Sequence, residues 1–253
     1  MEVALFATCL SDMLFPRVPE AVVRLLHREG VKVTFPRGQT CCGQPAFNSG
    51  FHDEARQMAR NFIKVFADAP CIITPSGSCA SMVRVFYPEL FTEGSEEHRT
   101  CLAVADRTYE FSEFLVNVLG KSDLGATFPG RATYHRSCHM SRELGVIEPP
   151  ITLLNNVREL TYVEMPRADL CCGFGGTFSV RMADTSIAMA DAKITQMDPV
   201  DVDLLVGSDA GCIMQLAGRL GYLGRPVRTM HLAELLAVGA GLMEPAVGGG
   251  VTR

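Results

Sequence analysis

Eight of the ten cysteines in this chain fall into two sets that repeat one pattern. The first set consists of Cys9, Cys41, Cys42 and Cys79, and the second of Cys138, Cys171, Cys172 and Cys212. In each set the central pair is adjacent and is followed by glycine, and Cys171 comes 130 positions after Cys41. Repetition over this distance indicates a duplicated domain, so we expect two related sites.

Cysteines in such sets are candidate metal ligands, because thiolates are soft ligands that select zinc, copper(I) or iron–sulfur clusters. Structural zinc sites usually contain C-x₂₋₄-C motifs, and no C-x-x-C occurs in this sequence. Neighbouring side chains tend to point apart, so a wide iron–sulfur cluster accepts an adjacent pair more easily than one zinc ion does. Gly43 and Gly173 allow the backbone to approach inorganic sulfur. The pattern therefore predicts iron–sulfur binding, at one site or two, with all eight cysteines as ligands.

The remaining cysteines and the histidines receive other interpretations. Cys71 and Cys101 lie outside the repeat, and we expect them in the core because free cysteine is among the most buried residue types. His135 and His139 lie beside the second set and are interpreted as hydrogen-bonding or packing residues, with ligation as the alternative. His231 follows a predicted strand and is expected to cap the next helix.

The same series of elements surrounds each set of cysteines. Apolar runs predict strands over 3–8, 31–35, 71–74, 132–137, 160–165, 202–206 and 227–230. Apolar positions at helical spacing predict helices over 18–29, 53–66, 80–86, 150–157, 180–196, 213–220 and 231–238. Alternation of strands and helices indicates an α/β fold, here two pseudo-symmetric Rossmann-like halves with parallel sheets, produced by internal duplication.

The division between the halves is expected in the glycine-rich segment 120–131, which gives domains 1–122 and 123–253. All eight cysteines are placed in loops after strands. Because sites in parallel sheets form at the carboxyl ends of the strands, the cysteines of each half are expected to converge.

Composition excludes several classes of protein. The chain has 253 residues, of which 47% are hydrophobic and 20% charged, and this excludes a disordered protein. The net charge is −5 and there is no basic block, so we expect no nucleic-acid partner. We find no signal peptide and no apolar run long enough to span a membrane, and we expect a cytoplasmic protein, where disulfides are rare. Gly248–Gly250 are expected to form a frayed tail.

Two motifs carry a resemblance to a known family. Thr40-Cys41-Cys42-Gly43-Gln44-Pro45 and Leu170-Cys171-Cys172-Gly173-Phe174-Gly175-Gly176 resemble the cysteine-rich CCG domain family, and the resemblance extends over about residues 2 to 240. Its members include the CCG-containing subunit of heterodisulfide reductase, the iron–sulfur subunit of glycolate oxidase and lactate utilisation protein A. Two CCG repeats without a ferredoxin segment are most similar to the last of these groups.

The resemblance implies an electron-transfer subunit rather than a complete enzyme. In that group the iron–sulfur protein is one of three cytoplasmic subunits that oxidise L-lactate to pyruvate. The implied partners are a ferredoxin-type iron–sulfur protein and a third subunit. No substrate-binding residues for lactate are identified in the sequence.

One departure from the family pattern concerns the last cysteine of each set. In heterodisulfide reductase this element is C-x-x-C, which gives five cysteines and a non-cubane cluster, whereas here Ser76 and Asp209 replace the first cysteine. Four thiolates per site fit a 4Fe–4S cluster held by all four cysteines. They also fit a site with three bound thiolates and an open iron. Asp209 is interpreted as a turn or helix N-cap aspartate, with an oxygen ligand as the alternative.

Two further functions remain open at this stage. One is thiol or disulfide chemistry at a cluster, as in heterodisulfide reductase. The other is a zinc-stabilised scaffold without catalytic activity. The sequence also leaves open whether the first half binds a cluster, a plain metal ion or nothing.

Overall fold

The computed structural model describes residues 1–246 and contains two four-stranded parallel sheets. The strands, in chain order, are β1 (Glu2–Leu5), β2 (Lys32–Thr34), β3 (Ile72–Thr74), β4 (Thr108–Glu110), β5 (Thr127–His135), β6 (Arg158–Tyr162), β7 (Leu204–Gly207) and β8 (Arg228–His231). The first sheet has the order β2-β1-β3-β4 and the second the order β6-β5-β7-β8. This identical order confirms the predicted α/β class with two Rossmann-like halves. The predicted tail at Gly248–Gly250 lies outside the described residues.

Helices follow or connect the strands in both halves. They are α1 (Cys9–Leu14), α2 (Arg17–Arg28), α3 (Gln44–Asn48), α4 (His52–Val65), α5 (Gly77–Ser81), α6 (Tyr87–Glu89), α7 (Glu96–Ala105), α8 (Phe111–Glu113), α9 (Glu148–Asn155), α10 (Phe178–Arg181), α11 (Ala183–Thr195), α12 (Ala210–Tyr222) and α13 (Leu232–Gly239). Three π-helical turns are also present, at Met82–Phe86, Phe114–Val118 and His139–Glu143.

The register of the two sheets defines which residues are equivalent. Leu5 of β1 pairs with Ile73 of β3, and Tyr134 of β5 pairs with Val206 of β7. Three residues after these last positions come Ser76 and Asp209, and three residues further come Cys79 and Cys212. The two halves therefore present their last cysteine from the same point of the fold.

Several predicted bounds are wrong. Strand β1 ends at Leu5 rather than at residue 8, because Thr8 has a φ of 69° that a strand does not accommodate. Strand β5 begins at Thr127, inside the segment predicted as a linker. The predicted helix over 180–196 is two helices, α10 and α11, since Met182 leaves the helical conformation with φ −127° and ψ 51°. Strand β4 was not predicted.

The two halves share one hydrophobic core. Helix α2 buries Val22, Leu25 and Leu26 on one face, and this face packs against α13 of the second half. Arg17 at the start of α2 donates to Glu234 of α13 at 2.6 Å. Residues of both sheets belong to the same cluster of buried side chains, so the halves are held in one relative position. The division at residues 122 and 123 falls between two elements and stays a prediction.

No helix within residues 1–246 is long and apolar enough to cross a membrane.

Candidate metal centre

The eight repeated cysteines line a single cavity of about 210 Å³ between the two halves. They are Cys9, Cys41, Cys42, Cys79, Cys138, Cys171, Cys172 and Cys212. The structure thus brings together all residues that the repeat singles out, and it places the two sets beside each other rather than at separate points. Their role as ligands stays a prediction.

The local structure around the cysteines differs from the expected loops. Only the adjacent pairs lie in loops. Cys9 begins α1, Cys138 directly precedes the π-helical turn His139–Glu143 with helical backbone angles, and Cys79 and Cys212 lie in the first turns of α5 and α12. Ser76 caps α5 by accepting a hydrogen bond from the backbone N–H of Cys79 at 3.3 Å. The backbone N–H groups of Gly77, Ser78 and Cys79 all have acceptors within the protein, so the first turn of α5 is capped around its cysteine.

We refer to Cys9, Cys41, Cys42 and Cys79 as the first quartet. Cys42 and Cys79 are buried and the other two are half-buried. The thiol of Cys41 hydrogen-bonds with Cys42 and Cys9, and these bonds lower its pKa. The backbone N–H of Gly43 also donates to Cys41 Sγ at 3.4 Å. Cys41 is therefore the thiol of this quartet that most easily becomes a thiolate.

The second quartet, Cys138, Cys171, Cys172 and Cys212, has the same arrangement. Cys171 hydrogen-bonds with Cys138 and Cys172, which lowers the pKa of its thiol, and Gly173 N–H donates to Cys171 Sγ at 3.4 Å. Cys172 Sγ lies 3.0 Å from Cys212 Sγ. Each quartet thus holds four sulfur atoms in a contiguous chain, with the thiolate-forming cysteine in the middle.

The glycine of each CCG motif is required by its conformation and by its surroundings. Gly43 and Gly173 have φ values of 86° and 83°, in the left-handed region that favours glycine. A Cβ on Gly173 would lie 2.5 Å from the carbonyl oxygen of Ser186 in α11. A Cβ on Gly43 would meet Met58 of α4 at 3.3 Å. The glycine therefore lets each cysteine pair lie directly against the helix that follows.

A carboxylate from the second half connects the two quartets. Asp209 Oδ1 accepts from Ser76 Oγ at 3.0 Å and from Ser78 Oγ at 2.5 Å, and its Oδ2 accepts from Ser78 N at 2.9 Å and Ser137 Oγ at 2.8 Å. Asp209 occupies the N-cap position of α12, as interpreted from the sequence, but its side chain makes no capping bond there. It instead binds the first turn of α5 in the other half. Ser76 and Asp209, which replace the missing fifth cysteines, are thus hydrogen-bonded to each other.

The histidines occupy three different environments. His231 caps α13 as predicted: its Nδ1 accepts from Ala233 N–H at 3.2 Å, which leaves Nε2 to donate to Pro75 O at 3.1 Å. His139 lines the cavity, with Nδ1 3.6 Å from Cys138 Sγ. His135 is 1% exposed, and neither ring nitrogen has a hydrogen-bond partner. Burial lowers the pKa of His135 to about 3, so its ring is neutral.

The donor set fits a metal or an iron–sulfur group. Nitrogen and sulfur donors of His135, Cys172 and Cys212 lie within 4.8 Å of one another. Both quartets add half-buried thiols that face the cavity, and a backbone N–H donates to the central sulfur of each. Soft sulfur donors in this number, with N–H groups around them, are the environment that iron–sulfur clusters and zinc ions use.

The two cysteines outside the repeat lie in the core, as predicted. Cys71 is 8% and Cys101 1% exposed, and each belongs to a cluster of buried apolar side chains. Burial raises the pKa of their thiols to about 11 and about 12. Neither cysteine lines the cavity, so neither is placed to join the quartets.

Comparison with known proteins identifies the family of this chain. The fold and the two quartets define a duplicated cysteine-rich α/β protein, and the sequence model of the cysteine-rich domain family (CCG) matches residues 3–84 and 132–217. Lactate utilization protein A of Geobacillus thermodenitrificans (strain NG80-2) is 49% identical over 236 residues, covering 93% of this chain and 98% of that protein. Lactate utilization protein A 2 of Bacillus cereus (strain 03BB102) is 48% identical over 239 residues, covering 94% and 99%. The chain therefore belongs to the cysteine-rich CCG domain family, in the group of lactate utilization protein A.

Similarity to solved structures adds nothing to this assignment. Glutamate racemase from Thermus thermophilus aligns with 98% of this chain and 84% of that chain at 15% identity, with a TM-score of 0.35. That score is too low to support an argument.

Proposed function

We propose that this protein is an iron–sulfur electron-transfer subunit of a complex that oxidises L-lactate to pyruvate, with its clusters held by the two quartets. The observation that carries the proposal is the convergence of all eight repeated cysteines on one cavity. We infer the substrate from the relatives, which are named lactate utilization protein A. The proposed partners are a ferredoxin-type iron–sulfur protein and a third subunit.

The residues of the cavity have separate tasks in this proposal. The thiolates of the two quartets hold the group, and two of the buried members, Cys42 and Cys172, fix it against the helices α4 and α11. Pro45 and Phe174 contribute apolar surface to the lining, which reduces access of water. A bound 4Fe–4S cluster would accept and release one electron at a time.

The charge of the cavity supports a role in electron transfer rather than in binding lactate. Within the described residues, its lining contains no lysine and no arginine, and Asp209 supplies a carboxylate. A 2-hydroxy acid carries a carboxylate of its own, which a site normally binds through a cation or a bidentate arginine. We therefore assign the oxidation of lactate itself to a partner subunit.

The test is reduction of the bound clusters by L-lactate in the assembled complex. The chain is co-expressed with the proteins encoded beside it and purified without oxygen, and the visible absorbance of the clusters is followed after L-lactate is added. We expect bleaching with L-lactate, a smaller amplitude in Cys172→Ser, and an unchanged amplitude in Cys101→Ser. Clusters that stay oxidised with L-lactate, but bleach with dithionite, would contradict the proposed donor.

One observation favours a second candidate, a zinc-stabilised protein without redox activity. Tetrahedral Zn–S bonds of about 2.3 Å place two ligand sulfurs roughly 3.8 Å apart. Cys172 Sγ and Cys212 Sγ are 3.0 Å apart, which is closer to this zinc spacing than to the wider spacing of ligand sulfurs around a 4Fe–4S cluster. Metal analysis separates the candidates: zinc without acid-labile sulfide supports this one, and iron with sulfide contradicts it.

A further inference from the structure

The two quartets have the same shape, but the residues behind them differ. Phe6 lies three positions before Cys9, and His135 lies three positions before Cys138. Both side chains are 1% exposed, and both come at the carboxyl end of the central strand of their sheet. An apolar ring in the first half thus corresponds to an imidazole in the second.

A second pair of equivalent positions lies in the helices that follow the CCG motifs. Gly43 packs against Ala55 and Met58 of α4, and Gly173 packs against Ser186 and Met189 of α11. Ser186 comes 131 positions after Ala55, and Met189 comes 131 positions after Met58. The same offset makes Phe62 of α4 the equivalent of Lys193 of α11. The aromatic ring of the first half is therefore replaced by an ammonium group in the second.

The first quartet is backed by aromatic side chains. The ring centroids of Phe6 and Phe62 are 4.9 Å apart in an edge-to-face arrangement, and Phe62 also contacts Tyr87 at 5.7 Å. These rings belong to the same buried cluster as Cys42 and Cys79. These rings offer no charge and no donor to the sulfur atoms. The Tyr87 hydroxyl donates to the carbonyl oxygen of Cys42 instead.

The second quartet is backed by two polar groups that the protein's own contacts leave incompletely satisfied. Lys193 is 1% exposed, and its Nζ donates to Ala168 O at 2.7 Å. Burial lowers the pKa of Lys193 to about 8, while Asp169 and the thiol of Cys172 act in the opposite direction. The nitrogens of His135 have no hydrogen-bond partner, although one lies within 4.8 Å of both Cys172 Sγ and Cys212 Sγ.

This arrangement costs folding energy that an apolar pair would not cost. A buried lysine with one hydrogen bond and a buried histidine with none are expensive, and the first half shows that phenylalanine fits both positions of this fold. A negatively charged group in the second quartet would use both, since the ammonium supplies charge and the imidazole supplies an N–H.

We propose that His135 and Lys193 stabilise added negative charge at the second quartet, so that a cluster bound there has a higher reduction potential than one bound at the first quartet. Hydrogen bonds and charge near cluster sulfurs are known to set the potential. Asp209 acts in the opposite sense, but its carboxylate already accepts four hydrogen bonds from both halves. Electrons entering the protein would then collect at Cys138, Cys171, Cys172 and Cys212. This inference rests on the proposed iron–sulfur function.

The test is a potentiometric titration followed by EPR, on anaerobic protein in which one quartet has been disabled. Cys42→Ser leaves the second site intact and Cys172→Ser leaves the first, so the two midpoint potentials are measured separately. We expect the second site to have the more positive midpoint. Lys193→Met in the Cys42→Ser background should change the one-electron equilibrium at the second site at least tenfold, which lowers its midpoint potential by about 59 mV.

Matched variants separate charge from packing. Lys193→Arg keeps the charge and should keep the midpoint, and His135→Phe, which copies Phe6, should lower it. Phe62→Met in the Cys172→Ser background changes the equivalent position of the first half and should have a smaller effect than Lys193→Met. If Lys193→Met does not fold, the order of the two midpoints and the His135→Phe shift still decide the question.

Equal midpoints, a reversed order, or a midpoint that Lys193→Met and His135→Phe leave unchanged would overturn this inference alone. Absence of iron and sulfide from the wild-type protein, measured first, would overturn the inference together with the proposed function. The two failures are therefore distinguished by the metal content.

Discussion

Replacement of Asp209 by alanine should weaken the contact between the two halves of the protein. Asp209 belongs to the second half, and three of its four hydrogen bonds reach Ser76 and Ser78 in the first. The fourth goes to Ser137. Its side chain is buried, so these bonds form away from water. The carboxylate is therefore a buried polar link between the two halves.

The expected loss follows from what the alanine leaves behind. Bonds to a charged acceptor contribute about 1.5–3 kcal/mol each, but removal of the carboxylate also removes its desolvation cost of several kcal/mol. The serine hydroxyls can reorient, since Ser76 Oγ and Ser78 Oγ already lie 3.2 Å apart. The N–H of Ser78 then has no acceptor, at a cost of about 1–3 kcal/mol. We expect the free energy of unfolding to fall by roughly 1–3 kcal/mol, and by less in Asp209→Asn.

The assay is urea unfolding of the metal-free, reduced protein, followed by far-UV circular dichroism. Asp198→Ala is the control, because its ion pair with Arg225 is exposed and should contribute about 0–1 kcal/mol. A loss in Asp209→Ala no larger than that of Asp198→Ala would refute the assignment of Asp209 as a buried link between the halves.

Three further predictions concern buried acid, glycine and cysteine positions. Burial raises the pKa of Glu110 from 4.5 to about 8, so the folded protein keeps a proton that the unfolded chain releases. Relative to Glu110→Gln, the wild type should therefore lose up to about 1.4 kcal/mol of stability per pH unit as the pH rises from 4.5 through 8. Urea titrations at several pH values measure this loss, and parallel stability curves for the two proteins would contradict the shift. Gly173→Ala should lower the thermal midpoint more than Gly43→Ala, because its Cβ would meet a backbone oxygen at 2.5 Å rather than a methionine side chain at 3.3 Å; equal midpoints would show that the loop relaxes. Cys172→Ser should lower the iron content of anaerobic protein and Cys101→Ser should not, and equal losses would contradict the division of ligands from core residues.

Much of the fold was predictable because the buried strands are short apolar runs. Leu204–Val206 is fully buried and apolar, and Val22, Leu25 and Leu26 recur at helical spacing. Strand β4 could not be found in the same way. It has three residues, Thr108, Tyr109 and Glu110, and its buried end is a carboxylic acid, which in a sequence indicates an exposed position.

The candidate site was predictable in its cysteines but not in its polar surroundings. The repeat identifies the eight thiols because their spacing is preserved in both halves. It does not reveal that Asp209 binds Ser78 of the other half, because this contact depends on how the halves pack together. The sequence does not reveal the role of Lys193, because a lysine in a helix normally indicates an exposed position. Its equivalence to Phe62 follows from the residues of α4 and α11 that pack against Gly43 and Gly173.

The central claim is that the two quartets hold iron–sulfur clusters, and iron and acid-labile sulfide in anaerobically purified wild-type protein test it most directly. We predict iron and sulfide in equal amounts, about four of each for every occupied quartet, with an EPR signal after reduction. Cys42→Ser and Cys172→Ser should each remove the content of one quartet. Colourless protein that contains zinc, or no metal, after anaerobic reconstitution with iron and sulfide would contradict the claim.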